Sequence, residues 1–318
     1  METLRRNRLD SPVRLALRAQ WTDDERPAMG AAEAPTPPVA WPSQSSVDAG
    51  QPVEVFLKGA EEAIRLHDLE LARTNYWAAL RLDATNILAR MRLGLTLKQQ
   101  GEHHLALDEF VTVTRLAPDY GEAWKEKGVV EGLIARALPE DTRPKWLQDG
   151  CASLARATEL LPQDFDAWSA LGGVLRNVHS DYAGALRSYR RGAQVSNGHP
   201  YPLLNALKLE AQETGSLDLD SVSEQLEAAE RIRQGQISAE QPVDTPWCYF
   251  DVAEIRLYRG DRSGFLESLE EGIASCNAAW QPSTFSSALK TAFEGSGIEL
   301  DGLSEGLERL AAAERSLP

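Results

Sequence analysis

Residues 87–120 read ILARMRLGLTLKQQGEHHLALDEFVTVTRLAPDY, and this stretch decides the fold. Leu93 and Gly94 stand side by side in its first half. Gly101 divides the halves, Ala106 and Phe110 are spaced four apart in the second, and Pro118 closes it. Each residue has a physical job in a pair of antiparallel helices. Gly94 and Ala106 are small where helix A and helix B must approach closely, and Leu93 and Phe110 fill the seam between them. Gly101 ends helix A in a conformation that other residues resist. Pro118 cannot continue helix B, so one unit stops there and the next begins.

This spacing resembles the tetratricopeptide repeat, whose pattern W-x2-L-G-x2-Y…A-x3-F…P recurs about every 34 residues. The resemblance implies an all-α fold, a right-handed α-solenoid of helix-turn-helix repeats. One period back, Ala60, Ala72, Tyr76 and Ala79 occupy the motif positions, so 53–86 is a first repeat with helices at Val53–Leu66 and Leu69–Leu82. The third unit, 121–164, carries Trp124, Gly128, Ala157 and Pro162. It is ten residues too long, and the excess falls at 137–146, where ALPEDTRPKW reads as an exposed loop between its two helices. The fourth, 165–199, carries Trp168, Leu171, Gly172, Ala185 and Tyr189, with one extra residue near Ser180. Four repeats exceed the three or so that bury a continuous core.

From 200 to 318 the period degrades while helical stripes persist. They are expected at Tyr201–Glu213, Val222–Arg233, Trp247–Tyr258, Arg262–Cys276, Ser283–Phe293 and a capping Leu303–Arg315. The segments YPLLNALKLEAQETG, PWCYFDVAEIRLYRGD and WQPSTFSSAL are similar to the TRAF-binding-region module of certain stress-kinase kinases, through Asn205, Trp247, Glu254, Gly260–Asp261 and Trp280. Similar modules accompany effector domains in bacterial conflict and signalling proteins. That resemblance implies a sensing or assembly platform that works with a separately encoded partner. Residues 1–52 differ in kind: a segment with Arg5, Arg6, Arg8, Arg14 and Arg18 precedes a Pro/Ala-rich stretch of linker composition. The basic segment reads as a solvated tail or docking helix, with a transit signal as the alternative. No apolar run follows it, as a signal peptide would need.

The net charge is −15. Residues 216–318 hold 8 Lys+Arg against 19 Asp+Glu, so the acidity is concentrated there. Such a chain repels phosphate backbones, which argues against direct nucleic-acid binding. No segment reaches the roughly 18 apolar residues of a membrane span. Three widely separated cysteines, Cys151, Cys248 and Cys276, read as reduced thiols inside helices and point to a cytoplasmic protein.

Catalytic and metal chemistry find no pattern. His67, His103, His104, His179 and His199 lie near expected turns, where solvated histidine is the reading. Adjacent His103 and His104 point about 100° apart on a helix and cannot chelate as an i, i+4 pair does. There is no Cys-x2-Cys pair and no glycine-rich phosphate loop after a strand. The expectation is a non-catalytic chain with no metal or cofactor. What remains is the concave face lined by the A helices. Repeat register places Arg65, Leu88, Met91, Leu95, Lys98, Gln99, Lys125, Arg176 and Asn177 there. An apolar patch (Leu88, Met91, Leu95) ringed by Lys98, Lys125 and Arg176 suits an acidic-hydrophobic peptide. The function expected is a protein-binding adaptor or scaffold. The alternatives are a regulatory or sensor subunit gating a separate effector, and a solenoid that holds a small ligand.

Overall fold

The computed structural model describes residues 52–144, 151–239 and 243–317. Among these residues lie fourteen α-helices and no strand. The chain falls into two compact units that divide between Leu161 and Pro162, one repeat before the change of sequence character at 200.

The N-terminal unit holds three hairpins: α1 (Val53–Arg65) with α2 (Leu69–Leu82), α3 (Ile87–Gln99) with α4 (His103–Leu116), and α5 (Gly121–Ala137) with α6 (Cys151–Leu160). Successive hairpins pack through α2 on α3 and α4 on α5, and α3 also meets α5. The seam within each hairpin follows one rule of size. At Gly94 an added Cβ would lie 2.7 Å from the Phe110 ring, and at Gly128 it would lie 2.5 Å from Leu154 Cγ. In the first repeat Ala60 and Tyr76 take the corresponding places, both buried. Ala106 and Phe110 are likewise fully buried. These are tetratricopeptide-type helix pairs, and the fold class is all-α of the tetratricopeptide solenoid type.

Turn chemistry also repeats. After α3, the Gly101 amide reaches Lys98 O and the Glu102 amide reaches Leu97 O, with Gly101 at φ 81°. This is the Schellman closure that a left-handed C′ residue permits. His67 at φ 58° and Gly260 at φ 73° make the same closure after their helices. The acidic residue that follows starts helix B: Asp68 accepts from the Leu71 amide at 2.9 Å and Asp261 from the Gly264 amide at 2.9 Å. Glu102 holds the same place and makes no side-chain cap. Where one pair passes to the next, Trp124 Nε1 donates to the Pro118 carbonyl at 2.8 Å and Trp168 Nε1 to that of Pro162 at 3.1 Å. In the second repeat Arg90 Nε donates to Ala84 O at 2.8 Å from the same register position.

Between α5 and α6 the chain makes a short 3-10 turn, Glu140–Thr142, and Arg143 Nε folds back to Ala135 O at 2.9 Å. The remainder of the expected 137–146 loop, Lys145 and Trp146, lies outside the described residues, as do the leader readings on residues 1–51.

The C-terminal unit comprises α7 (Phe165–His179), α8 (Tyr182–Val195), α9 (Pro200–Thr214), α10 (Ser223–Ile237), α11 (Trp247–Tyr258), α12 (Arg262–Ala274), α13 (Trp280–Phe293) and α14 (Leu303–Ser316). Hairpin α7–α8 repeats the seam, with Gly172 against Tyr189. Its extra residue is absorbed by a wider turn: Ser180 adopts φ 53° and the Asp181 amide reaches back to Leu175 O. Three helices depart from the sequence reading. Helix α10 runs on to Ile237, into the expected linker. Helix α12 stops at Ala274, leaving Cys276 outside it. Helix α13 begins three residues early, at Trp280. Pro282 does not prevent that start, because a first turn has no intrahelical amide bond to lose. Leu203, Leu207, Phe250, Ile255, Phe265, Phe285, Leu289 and Leu310 form one core across α9–α14.

Candidate functional site on helix α3

Helix α3 starts cleanly because Asn86 accepts from the Ala89 amide at 3.0 Å. Leu88, Arg92, Leu95 and Gln99 follow at i, i+4, i+7 and i+11, the spacing of one helix face. Leu88 is 48% exposed and Gln99 is exposed, while Arg92 and Leu95 are half-buried. Among the described residues Arg92 has no ion-pair partner. A guanidinium that has lost part of its hydration without gaining an anion is an unusual use of a cation.

Two expected members of this face are elsewhere. At 100° per residue Met91 and Lys98 lie about 60–80° round the helix from Leu88. That flank is buried, with each residue only 5% exposed, and Lys98 Nζ pairs with the Glu126 carboxylate of α5. Repeat register had assigned Lys98 to the wall as a free cation, whereas the structure places it in the α3–α5 interface. Lys125 is engaged as well, with Glu122 at 2.8 Å one turn before it. Arg65 is exposed at the end of α1 and pairs with Glu62. Arg176 and Asn177 are half-buried on α7, in the C-terminal unit. Of the nine expected residues, the α3 face gathers Leu88, Leu95 and Gln99.

Arg92 was not among them, although the spacing 88–92–95–99 was available in the sequence. Two tyrosines accompany it. Burial pushes the Tyr76 and Tyr120 hydroxyls above the ordinary tyrosine range, and the Arg92 charge opposes that rise at both. Glu61 acts on Tyr76, and Glu122 and Lys125 on Tyr120. Among the described residues no hydrogen bond holds either hydroxyl.

The other cations near α3 serve packing. Arg90 meets Glu109 of α4 at 2.6 Å, and burial still holds that carboxyl above its usual range. Lys127 reaches Glu131 at 2.9 Å and Ser153 at 2.7 Å, and lies 5.2 Å from the centre of the Trp124 ring.

The C-terminal unit buries a larger set of charges. Lys208 Nζ donates to both Glu254 oxygens at 2.6 and 2.7 Å, and Tyr258 donates to Glu254 at 2.7 Å. Arg233 is clamped by Asp251 at 2.5 Å and Asp244 at 3.0 Å, and Glu230 takes Arg256 at 2.9 Å and Arg259 at 2.5 Å. These pairs tie α9, α10 and α11 together, which is a structural role. The expectation of solvated histidines fits exposed His67 and His104 and needs correction at the other three. His199 caps α9 by accepting from the Tyr201 amide at 3.3 Å and stacks on Phe165 at 4.5 Å, while His103 and His179 are partly buried. Burial pushes the Cys248 thiol up to about 12 and that of Cys276 to about 11. Among the described residues no three His, Cys, Asp or Glu side chains gather as a metal site, and no helix is long and apolar enough to cross a membrane.

No family model matches the chain, and no curated protein matches it. Solved structures do resemble it. A structure of Pseudomonas aeruginosa pilF is 14% identical, with a TM-score of 0.50, over 69% of this chain and 89% of that one. A tetratricopeptide repeat protein from Parabacteroides merdae is 15% identical over 84% of this chain and the whole of that one, with a TM-score of 0.46. The thermophilic TPR protein TTC0263 from Thermus thermophilus is 15% identical, over 74% and 98%, with a TM-score of 0.43. Identity this low bears on the fold alone.

Proposed function

We propose that this chain is a non-catalytic, cytoplasmic protein-binding scaffold whose working surface in the N-terminal unit is the exposed face of α3. The observation that carries this reading is Leu88. Leu88, 48% exposed on α3, shares one helix face with half-buried Leu95 and lies one turn from half-buried Arg92. A contiguous apolar patch rimmed by polar groups marks a docking site, and Leu88 with Leu95 supplies the apolar part of such a face. A helix-pair scaffold supplies the rest, since its hairpins hold such a face rigid. The partner is a protein or peptide segment.

Site-specific photo-crosslinking tests this in the native cell. A benzoyl-phenylalanine at position 88 should give discrete protein adducts, and one at Arg115, exposed on α4, should not. Equal or absent adducts at both positions would remove α3 as the docking surface.

A further inference from the structure

We infer that the outer side of α1 joins two copies of this chain, through a two-fold, antiparallel pairing of α1 with α1 of the second copy. This side is the end face of the first repeat, apart from the α3 face described above. Val55, Gly59, Glu62 and Leu66 of α1 stand 34 residues before Ala89, Leu93, Thr96 and Gln100 of α3, and 68 before Ala123, Lys127, Val130 and Ile134 of α5. In α3 this side meets the second helix of the preceding hairpin: α2 packs on α3, and Gln100 Nε2 donates to Glu70 of α2 at 2.8 Å. Helix α4 packs on α5 in the same order. Ala89, Leu93, Ala123 and Val130 are fully buried as a result. Among the described residues no helix precedes α1, and there Val55 is 47% and Leu66 67% exposed. The end helix of a repeat array normally turns polar residues outward. Helix α14, the last of the chain, does so with Ser304, Glu308 and Arg315, whereas α1 keeps two large apolar side chains.

The α1 side is complementary to itself. A two-fold axis between residues 60 and 61 sets Val55 against Leu66 of the second copy, and Leu66 against its Val55. Glu62 then falls opposite Gly59 of the second copy, where no side chain blocks it, and beside Lys58 of that copy. Lys58 is exposed with no ion pair among the described residues, and Glu62 pairs with the exposed Arg65 of its own helix. Symmetry therefore supplies two apolar contacts at the ends and two opposite-charge pairs at the centre. One pair of short helices buries little area, so the dimer dissociates on dilution.

Light scattering on the full-length chain tests this. Its mass should rise from 35.0 kDa toward twice that as the concentration climbs through the micromolar range. Lys58→Glu sets like charges across the axis and should weaken the dimer about tenfold or more. Glu62→Lys added to it restores opposite charges and should recover most of that loss. Val55→Glu with Leu66→Glu should abolish the dimer, and circular dichroism should show these exposed changes leaving the helices intact. A benzoyl-phenylalanine at position 55 should cross-link to the second copy near its Leu66. A mass that stays at 35.0 kDa up to millimolar concentration overturns the proposal. So does a dimer that survives Val55→Glu with Leu66→Glu, or a charge swap as damaging as Lys58→Glu alone. An adduct within one chain, or with a different protein, gives α1 another occupant and overturns it as well.

Discussion

Replacing glycine by alanine at Gly94, Gly128 and Gly172 puts the same methyl group into three hairpin seams that differ in how they can yield. In an open helix each change would stabilise by up to about 1 kcal/mol through helix propensity. Overpacking opposes that gain, and typically costs about 1–3 kcal/mol. At Gly128 the new Cβ would be 2.5 Å from Leu154 Cγ and 3.0 Å from the Leu154 backbone nitrogen, so α6 itself must shift. The expected result is a net loss of about 1–2 kcal/mol or more. At Gly94 the obstacle is the Phe110 ring edge at 2.7 Å, which can tilt by a few tenths of an ångström, for a net loss of about 0–1.5 kcal/mol. At Gly172 the Tyr189 ring stands back at 3.0 Å, and the two effects should nearly cancel. Urea unfolding followed by circular dichroism ranks the three by midpoint at constant slope. Gly94→Ala should also cost less in a Phe110→Leu background, with a coupling of at least about 0.5 kcal/mol. Gly128→Ala at or above wild-type stability, or Gly172→Ala as the worst of the three, would refute the seam argument.

Lys98→Met should cost about 3–5 kcal/mol, because it leaves the Glu126 carboxylate uncompensated in the α3–α5 interface, and Lys98→Met with Glu126→Met should recover most of it; urea melts of both variants decide this. Lys208→Met strips Glu254 of its cation. Burial already holds that carboxyl above its usual range, with Lys208 acting to lower it, so the variant's folded pKa rises further. A group whose folded pKa is raised stabilises below its unfolded value and loses that contribution as pH climbs through the folded one. The Lys208→Met penalty should therefore be small near the unfolded glutamate value of about 4.3 and grow toward neutral pH, which melts across a pH series would show. Trp124→Phe should cost about 0.5–1.5 kcal/mol through loss of its bond to the Pro118 carbonyl, read as a shift in thermal midpoint. Gly101→Ala, at φ 81° with nothing near its missing Cβ, should lose about 1–2 kcal/mol from backbone strain alone, by the same measurement.

What was legible in the sequence is what recurs at fixed spacing. Gly94, Ala106, Phe110 and Pro118 encode the approach of two helices and the end of the second, and those constraints are local to about 34 residues. The extra residue near Ser180 was visible for the same reason, and the structure resolves it as a widened left-handed turn. Which side of α3 faces outward was harder to read. Repeat register marks positions on helix A without saying which of them a neighbouring helix covers. Met91 and Lys98 sit at marked positions and are buried, because α5 lies against that flank, a fact of packing between units of the repeat. The end of α10 at Ile237, the end of α12 at Ala274 and the start of α13 at Trp280 were missed, the last because a first turn tolerates Pro282, whereas α11 has its expected bounds.

Burial of Lys98 also changes what a charge experiment can mean. Reversing Lys98 would set a second carboxylate beside Glu126 inside the unit, so lost binding would report on the fold rather than on a partner. In a chain of net charge −15, cations are scarce, and the structure commits many of the described ones to named carboxylates: Arg90 to Glu109, Lys208 to Glu254, Arg233 to Asp251, Arg256 to Glu230. Among the described residues, cations with no ion pair such as Lys58, Arg81, Arg115, Arg187, Arg231, Lys290 and Arg315 are exposed, where water solvates them at little cost. Arg92 is half-buried without an ion pair among the described residues, on the face that also exposes Leu88. A desolvated charge without a counter-charge destabilises the protein that carries it, so Arg92→Leu should cost less than the loss of a paired cation such as Lys98.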